Sequence, residues 1–366
     1  MWIWERAGWP AFDWNEDDVS PLLREIQFLQ GLLLGQVSAS GQDQNIMLDT
    51  LLANIVHSSA IEGEKLNAFS VRSSLSKKLG LTEEKPFPVT DKTDGLAEIM
   101  LDAINNLDDK LNLDRILGWH KLLFPENDQI FNTVAPGELR GDGPMQVVSG
   151  RIDRPVVHFE APQRDVIEDE LDHFFDWFNM SRVDKTLDPV IRAAITHLWF
   201  VSIHPLDDGN GRVTRLLTDM ALAQAENSSV RFYAMSVSIL DNRKAYYEIL
   251  EKTQRGDVDI TEWLVWFLET LKQTINDVLK GIEQTMFKVR YWAVHNQGEL
   301  SEEQSKVLNR MLDGDFEIGI NTSQYASVAK VSKPTATRHL AFLTKSGYLE
   351  KSGAGGRSTR YILNKD

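Results

Sequence analysis

His204-Pro205-Leu206-Asp207-Asp208-Gly209-Asn210-Gly211-Arg212-Val213-Thr214-Arg215 sets a histidine, a carboxylate, a glycine loop and two arginines at the start of one helix. After Arg212 the apolar residues Val213, Leu216, Leu217, Met220 and Ala221 recur at i, i+3, i+4, i+7 and i+8, the period of an amphipathic helix. Gly209-Asn210-Gly211 therefore falls at a helix N-terminus. Free N–H groups and the positive end of the helix dipole converge there, and glycine lets a phosphate approach the backbone. Arg212 and Arg215 are three apart, hence neighbours on the helix surface, with forked donors that can grip phosphate oxygens in pairs. Asp208 supplies a hard oxygen beside that phosphate site, which suits Mg²⁺. His204, near a positive helix end, stays neutral at pH 7 and can accept a proton from an attacking hydroxyl. This is what nucleotide transfer requires. Asp-Asp-Gly-Asn-Gly is also ordinary loop composition, and Pro205 with the glycines suits a plain inter-helix turn. An EF-hand is excluded, because its acidic ligand spacing and terminal glutamate are missing.

The full string reads His-Pro-x-x-Asp-Gly-Asn-Gly-Arg-x-x-Arg and resembles the signature of Fic-domain proteins. That resemblance implies a mainly α-helical Fic-type core with a small β-hairpin flap. It implies transfer of a nucleoside monophosphate, usually AMP from ATP, onto a Ser, Thr or Tyr hydroxyl of a target protein. By position it makes His204 the general base, Asp208 the Mg²⁺ ligand, and Gly209, Asn210 and Gly211 the anion hole for the α and β phosphates. Arg212 would hold the β-phosphate region and Arg215 the γ phosphate. Leu206 stands where the family most often has Phe, and leucine can still bury an apolar anchor. Members that transfer a phosphate instead lack this glycine pattern, so Gly211 favours nucleotidyl transfer.

Neighbouring segments extend the likeness. Asp188 to Ile203, with Val190, Ala194, Leu198 and Val201 on one face and Trp199 and Phe200 beside it, reads as a deeply buried helix delivering His204. His197 lies seven residues earlier and, without further ligands, reads as a core histidine rather than half of a metal pair. Gly137-Glu138-Leu139-Arg140 and Val147-Val148-Ser149-Gly150 resemble the approach to the family's target-binding flap, with Pro155 to Phe159 as its returning side. Such a flap offers an edge strand to a target backbone, although apolar alternation alone equally fits an ordinary exposed hairpin. Tyr246-Tyr247 sits on an apolar helix, where the family has an aromatic pair lining the nucleobase pocket; paired tyrosines also serve as core. Leu48, Leu51, Leu52 and Ile55 form a helical stripe before Ser58-Ser59-Ala60-Ile61-Glu62-Gly63, with Gly63 suited to a helix C-cap. Beside a Fic signature, Ser58-x-x-x-Glu62-Gly63 resembles the family's inhibitory motif, in which Glu62 pairs with Arg215 and takes the place of the γ phosphate. The same glutamate can orient water for removal of AMP in some relatives, and the sequence does not choose between these roles.

Length and composition frame these readings. The 366 residues suffice for two or three domains with real cores. No apolar run is long enough to span a bilayer and no basic-then-apolar signal segment occurs, so residence in the cytoplasm, away from membranes, is the default expectation. With no cysteine, disulfides and thiolate-metal sites are excluded. A balance of 39 basic and 54 acidic residues gives −15, which argues against wholesale nucleic-acid binding.

The C-terminus departs from that average. From Asn321 to Asp366 eight Lys or Arg residues face only Glu350 and Asp366, a local net of +6. Thr322 to Lys330 reads as one helix, Val331-Ser332 as a turn, and Lys333 to Ser346 as a second helix with Ala336, Leu340 and Leu343 inward. Tyr348-Leu349-Glu350 and Tyr361-Ile362-Leu363 then bracket a glycine-rich tip. This layout resembles a winged helix-turn-helix (α+β), which serves either in DNA binding or as a protein-interaction module. Lys333, Thr335, Thr337, Arg338, Arg357 and Arg360 are the candidate DNA contacts. At the other end Trp2, Trp4, Trp9 and Trp14 place four of the ten tryptophans in fourteen residues, a pattern for anchoring a segment by packing. That opening, followed by Leu22 to Leu34, looks like the N-terminal domain of one Fic subfamily. The expected division is an N-terminal helical region 1–85, a catalytic domain 90–290 and a winged helix 300–366. Glu83 to Thr93 reads as a linker or loop and Glu299 to Glu303 as the C-terminal joint. Two functions stand: a regulated, Mg-dependent protein adenylyltransferase acting on a target protein with ATP, or a DNA-binding regulator whose Fic core senses nucleotide. Related enzymes often dimerise, so a homodimer accompanies the first reading.

Overall fold

The computed structural model describes the chain apart from residues 41–42, 126–133, 152–153, 227–231, 296, 353–358 and 365–366. It divides into two units, Met1–Asn276 and Asp277–Asp366. The first holds helices α1 (Glu16–Ser40), α2 (Asp43–Ile61), α3 (Ala68–Lys78), α4 (Asp91–Asn105) and α5 (Leu113–Leu123). Then come strands β1 (Gln146–Arg151) and β2 (Arg154–Glu160), helices α6 (Ile167–Ser181), α7 (Pro189–Ile203), α8 (Asn210–Glu226), α9 (Met235–Asp241) and α10 (Arg243–Gln254), and the start of α11 (Thr261–Val294). Mainly helical architecture with a small antiparallel pair is the fold expected from the sequence. Among the described residues no helix is long and apolar enough to cross a membrane.

α7 is the axis of this unit. Asp188 caps its start by accepting from the Val190 N–H at 2.8 Å, and Pro189 occupies the first turn, where its missing N–H costs nothing. Every residue from Val190 to Ile203 is buried, so the stripe expected on one face is part of a helix enclosed on all sides. That enclosure forces its polar members to find partners. Arg192 donates to the Phe178 carbonyl at 2.7 Å and to Ser181 Oγ at 2.9 Å, and its guanidinium lies 4.3 Å from the Phe178 ring centroid. α8 packs on α7 and buries not only Val213, Leu216, Leu217, Met220 and Ala221 but also Arg212, Thr214, Arg215, Thr218 and Asp219.

The tryptophan-rich opening is pinned to this body. Trp4 Nε1 donates to the Glu160 carbonyl at 2.7 Å, Trp9 Nε1 to Glu170 at 2.9 Å, and the Trp9 ring meets Trp199 edge-on at 6.1 Å. The stretch read as a linker is more ordered than its prolines suggest. Glu83 accepts from Ser73 at 2.6 Å and from Ser76 at 2.9 Å, and Asp91 to Thr93 already form the first turn of α4, capped by Thr90.

In the second unit α12 (Glu302–Leu312), α13 (Thr322–Ala329), α14 (Lys333–Lys345), β3 (Leu349–Lys351) and β4 (Tyr361–Leu363) surround a core of Val307, Leu308, Leu312, Tyr325, Leu340 and Leu343. Between α13 and α14 Lys330 turns left-handed at φ 55° and Ser332 caps α14 by accepting from Thr335 N–H. The unit begins earlier than the joint expected at 299–303, because Tyr291 on α11 is buried in its core and donates to the Tyr348 carbonyl at 2.6 Å. Asp188→Ala should destabilise the first unit by about 1 kcal/mol through loss of the α7 cap, read as a lower urea midpoint at unchanged slope.

Candidate active site

α7 stops at His204, whose backbone turns left-handed at φ 50° and ψ 57° before Pro205 forbids continuation. A non-glycine residue there is strained, and its surroundings hold it. Buried Arg140 donates from Nε to the His204 carbonyl at 2.9 Å and from its backbone N–H to the Pro205 carbonyl at 3.0 Å. Asn210 closes the loop with a reciprocal pair: its Oδ1 accepts from Leu206 N–H at 3.0 Å and its Nδ2 donates to the Leu206 carbonyl at 2.7 Å. The Asn210 side chain is thus spent as a staple inside the loop, leaving only its backbone for an anion. Leu206 is fully buried, the apolar anchor expected of it.

His204 accordingly faces the site in one tautomer. Its Nδ1 lies 3.1 Å from the Val201 carbonyl, which can only accept, so Nδ1 carries the proton and Nε2 keeps its lone pair. Burial pushes its pKa down to about 4 despite the Val201 bond, and the Arg140 charge adds to the drop. His197 is likewise a neutral core residue. Thr218 gives its own proton to the Thr214 carbonyl at 2.8 Å, so it accepts from His197 Nδ1 at 2.9 Å, and His197 Nε2 accepts from the Tyr246 hydroxyl at 2.9 Å. Burial, with Arg215 nearby, holds its pKa down at about 3.

One cavity of about 580 Å³ collects most of the expected residues. Its wall includes His204, Asp208, Gly209, Asn210, Gly211, Tyr246, Tyr247, Glu62, Val147, Val148 and Ser149. Gly150, at φ 91° on β1, is absent from that wall. The half-exposed Asp208 carboxylate accepts from Gly209 N–H at 2.5 Å and from Arg212 at 3.3 Å. The two tyrosines divide: Tyr246 is buried with its hydroxyl committed to His197, whereas Tyr247 is 36% exposed, below Arg243 at 5.5 Å.

Arg212 and Arg215 stand behind acidic partners. Arg215, 3% exposed, donates to Ser58 Oγ at 2.9 Å, the Ser58 carbonyl at 3.0 Å and Glu62 Oε1 at 2.6 Å. α2 delivers Glu62 because it ends there in a Schellman turn. Gly63, at φ 82°, bonds back to Ala60, and Glu64 N–H bonds to the Ser59 carbonyl at 3.0 Å. A Cβ on Gly211 would collide with Glu62 Oε1, so the carboxylate rests directly against the glycine at the α8 N-terminus. Burial raises the Glu62 pKa, but the charge and hydrogen bond of Arg215, with Arg212 and Arg243, more than offset it and hold the group below its ordinary value. Arg212 donates to Glu64 at 2.8 Å and lies 4.8 Å from the Phe124 ring centroid.

Sequence reading missed Glu64, Arg243 and Lys244, and placed Arg140 only at the approach to the flap. Glu64 lies one residue past the capping glycine, where no periodicity flags it; Arg243 and Lys244 open a helix whose wall position is a matter of packing. β1 pairs only with β2 among the described residues, with a bulge between Val147 and Val148, and Val148 stands 51% exposed.

The candidate DNA residues, all in the second unit, do not form one set. Lys333, Thr337 and Arg338 are exposed on α14, and Thr335 is half-buried in the helix cap with Ser332. Arg360 is part-buried and donates to the Gly319 carbonyl at 2.7 Å. Arg357 lies outside the described residues.

Residues 110–222 match the Fic/DOC family, and residues 2–81 match a domain of unknown function, DUF4172. The residues matched to Fic/DOC include the histidine, the loop and both arginines. The chain is 26% identical over 218 residues to protein adenylyltransferase fic-1 of Caenorhabditis elegans, covering 59% of this chain and 39% of that protein. It is 27% identical over 209 residues to protein adenylyltransferase Fic of Nematostella vectensis, covering 56% and 44%. The chain therefore matches about two fifths of the length of these curated relatives. In structure it is similar to a Fic family protein from Desulfovibrio desulfuricans G20, with a TM-score of 0.53, 18% identity, and coverage of 94% of this chain and 95% of that one; this shows the fold alone.

The depressed histidines set a pH response. Unfolded histidine binds protons below about pH 6.5, whereas folded His204 and His197 resist them until about 4 and 3. Their contribution to stability is therefore complete above pH 6.5 and is lost as the pH falls from there toward 3. Urea midpoints measured from pH 8 to 4 should drop below about 6.5, and Tyr246→Phe, which unpairs His197 Nε2, should cost about 1–3 kcal/mol at pH 7.

Proposed function

We propose that this protein is an adenylyltransferase that moves AMP from ATP to a Ser, Thr or Tyr hydroxyl of a target protein, restrained at rest by Glu62. The observation that carries this reading is the placement of the Glu62 carboxylate against Gly211 and Arg215, where an anion is accommodated by glycine backbone and a buried guanidinium. The phosphates of ATP would lie along Gly209 to Gly211, with Arg212 and Arg215 released from Glu64 and Glu62 to hold the β and γ groups. His204 Nε2 takes the proton of the attacking hydroxyl as its oxygen bonds to the α phosphorus, and pyrophosphate departs. A base with pKa near 4 is ready at every physiological pH.

Asp208 fits a Mg²⁺ site, because its carboxylate is half exposed on the cavity wall beside the phosphate loop, and Mg²⁺ takes one or two carboxylates plus substrate phosphates. The ion would neutralise phosphate charge. Tyr247 suits the nucleobase edge of the pocket, and the free edge of β1 at Val147 to Gly150 suits an extended target segment.

The second unit supports a narrower role in locating the enzyme or its target. Its helix-turn-helix and strand pair suit a winged helix, and exposed Lys333, Thr337 and Arg338 on α14 favour DNA as its partner. A sequence-dependent gel shift without label on any protein would instead support a regulator that only senses nucleotide.

With α-labelled ATP, Mg²⁺ and cell lysate, Glu62→Gly should raise protein labelling on the order of tenfold or more. His204→Ala should lower it about 100- to 10,000-fold, and γ-labelled ATP should give no label that depends on this enzyme. An unchanged Glu62→Gly rate would sink the restraint.

A further inference from the structure

A two-stranded hairpin is marginal by itself, so where β1 and β2 sit depends on what grips them. Four consecutive residues of β2 are gripped from outside the hairpin. The Val157 carbonyl accepts from Arg255 at 2.6 Å, and His158 Nδ1 lies 2.6 Å from Glu251 Oε2 on α10. The Phe159 ring meets Trp2 edge-on at 5.4 Å, and the Glu160 carbonyl accepts from Trp4 Nε1 at 2.7 Å. The bulge accounts for the reach of the histidine. Val147 pairs with Phe159 and Val148 with Val157, so His158 is the extra residue, and a bulge re-aims the side chain it carries. His158 thereby meets α10 with Nδ1 and Ser149 Oγ on β1 with Nε2 at 2.6 Å, linking both strands to the helix.

Arg255 is the joint of this assembly, and Trp2 seats it. Exposed Arg255 donates to Glu251 Oε1 at 3.1 Å as well as to Val157, and its guanidinium lies 4.9 Å from the Trp2 ring centroid. An exposed ion pair alone fixes little, because water and rotamer freedom compete with it. An aromatic face against the guanidinium narrows that freedom. The tryptophan is itself anchored: neighbouring Ile3 is fully buried, the Trp2 backbone N–H donates to Glu5 at 2.5 Å, and Arg6 Nε donates to the Gly256 carbonyl at 2.9 Å. The segment is thus tied to the end of α10. Two other tryptophans of the opening turn elsewhere, Trp9 to Glu170 and Trp199, and Trp14 to Glu16 of its own segment at 2.9 Å.

We propose that Trp2 is a positioning residue for the target-side wall of the cavity: by seating Arg255 and Phe159 it holds the hairpin on α10, so that β1 presents its edge beside the glycine loop. Val147, Val148 and Ser149 line the same cavity as Gly209 and Gly211. A shift of the hairpin therefore changes the distance between a target hydroxyl and the α phosphorus, and a misplacement of about 1 Å is enough to cost on the order of a hundredfold in rate. The nucleotide side is held separately, by α7, α8 and Arg140. Trp2 falls in residues 2–81, the stretch matched to DUF4172, and this role gives that end of the stretch a task in the transfer reaction. The role rests on the reading of β1 as the edge that receives a target.

The test uses the full chain carrying Glu62→Gly, with Trp2→Ala, Trp2→Phe, Arg255→Ala or Trp14→Ala added. Three quantities are read: α-label on lysate proteins, affinity for a non-hydrolysable ATP analogue by calorimetry, and amide hydrogen exchange followed by mass spectrometry. Trp2→Ala should speed exchange in β1 and β2 but not in α7, and should lower lysate labelling on the order of tenfold to a hundredfold. Its affinity for the analogue should be unchanged. Trp2→Phe, which keeps a ring for Arg255 and Phe159, should restore both exchange and labelling, and Trp14→Ala should alter neither. Arg255→Ala should act like Trp2→Ala, the two together costing less than the product of their separate effects. Unchanged hairpin exchange or unchanged labelling in Trp2→Ala overturns the inference. Faster exchange throughout the chain with loss of analogue affinity overturns it as well, since Trp2 would then serve general stability. No label on any protein from the Glu62→Gly parent overturns the transfer reading instead, and the exchange result then decides by itself whether Trp2 holds the hairpin.

Discussion

A guanidinium 3% exposed cannot be left unpaired, and Arg215 is in that position on a helix buried on nearly every side. Its demands fix much around it. Ser58 answers with both its hydroxyl and its carbonyl, Glu62 with a carboxylate oxygen, and both come from one end of α2. The turn at Gly63 is what lets a helix stop at the right residue for this, since a left-handed backbone at φ 82° suits glycine. One donor nitrogen of the guanidinium, Nη1, has no hydrogen-bond partner among the described residues and lies 3.1 Å from where a Cβ on Gly211 would be. The arginine is therefore stabilised by α2 and yet not saturated by it, which is the electrostatic condition for exchanging a protein carboxylate for another anion.

Around that centre, rigidity and reach are divided between kinds of element. His204 and the glycine loop sit where two buried helices meet, held by Arg140 and by the Asn210 staple, so their geometry is set by packing. The opposite wall is a two-stranded hairpin with half-exposed valines, braced to α10 through His158 and Arg255. Two imidazoles face the same space, each with Nδ1 anchored, one to a carbonyl and one to a carboxylate. The second lies 2.6 Å from the Ser149 hydroxyl. A chain with a net charge of −15 nonetheless gathers Arg243 and Lys244 on this wall and Arg212 and Arg215 behind it, because what an anion meets is the local field rather than the total.

Much of this was legible in the residues. Helical period placed Gly209 to Gly211 at a helix start, composition named His204 and Asp208, and the helix-turn-helix of the second unit followed from Ala336, Leu340 and Leu343. These features depend on neighbours a few residues apart, and short-range periodicity and capping chemistry express them directly. The motif at Ser58 to Gly63 was readable only through family likeness, since an isolated glutamate before a glycine says nothing about what it will meet.

Tertiary structure alone decided the rest. That Asn210 turns into its own loop, that Tyr246 spends its hydroxyl on His197, that Arg360 bonds the Gly319 carbonyl and that Glu64 takes Arg212 are outcomes of packing, in which each polar atom drawn away from water must find whichever partner lies near. Ser149, His158 and Glu251 make the point most clearly. Nine residues separate the first two and 93 the last two, and no period relates them. A strand register and one helix facing it bring the three into line, and that alignment exists only in the folded chain.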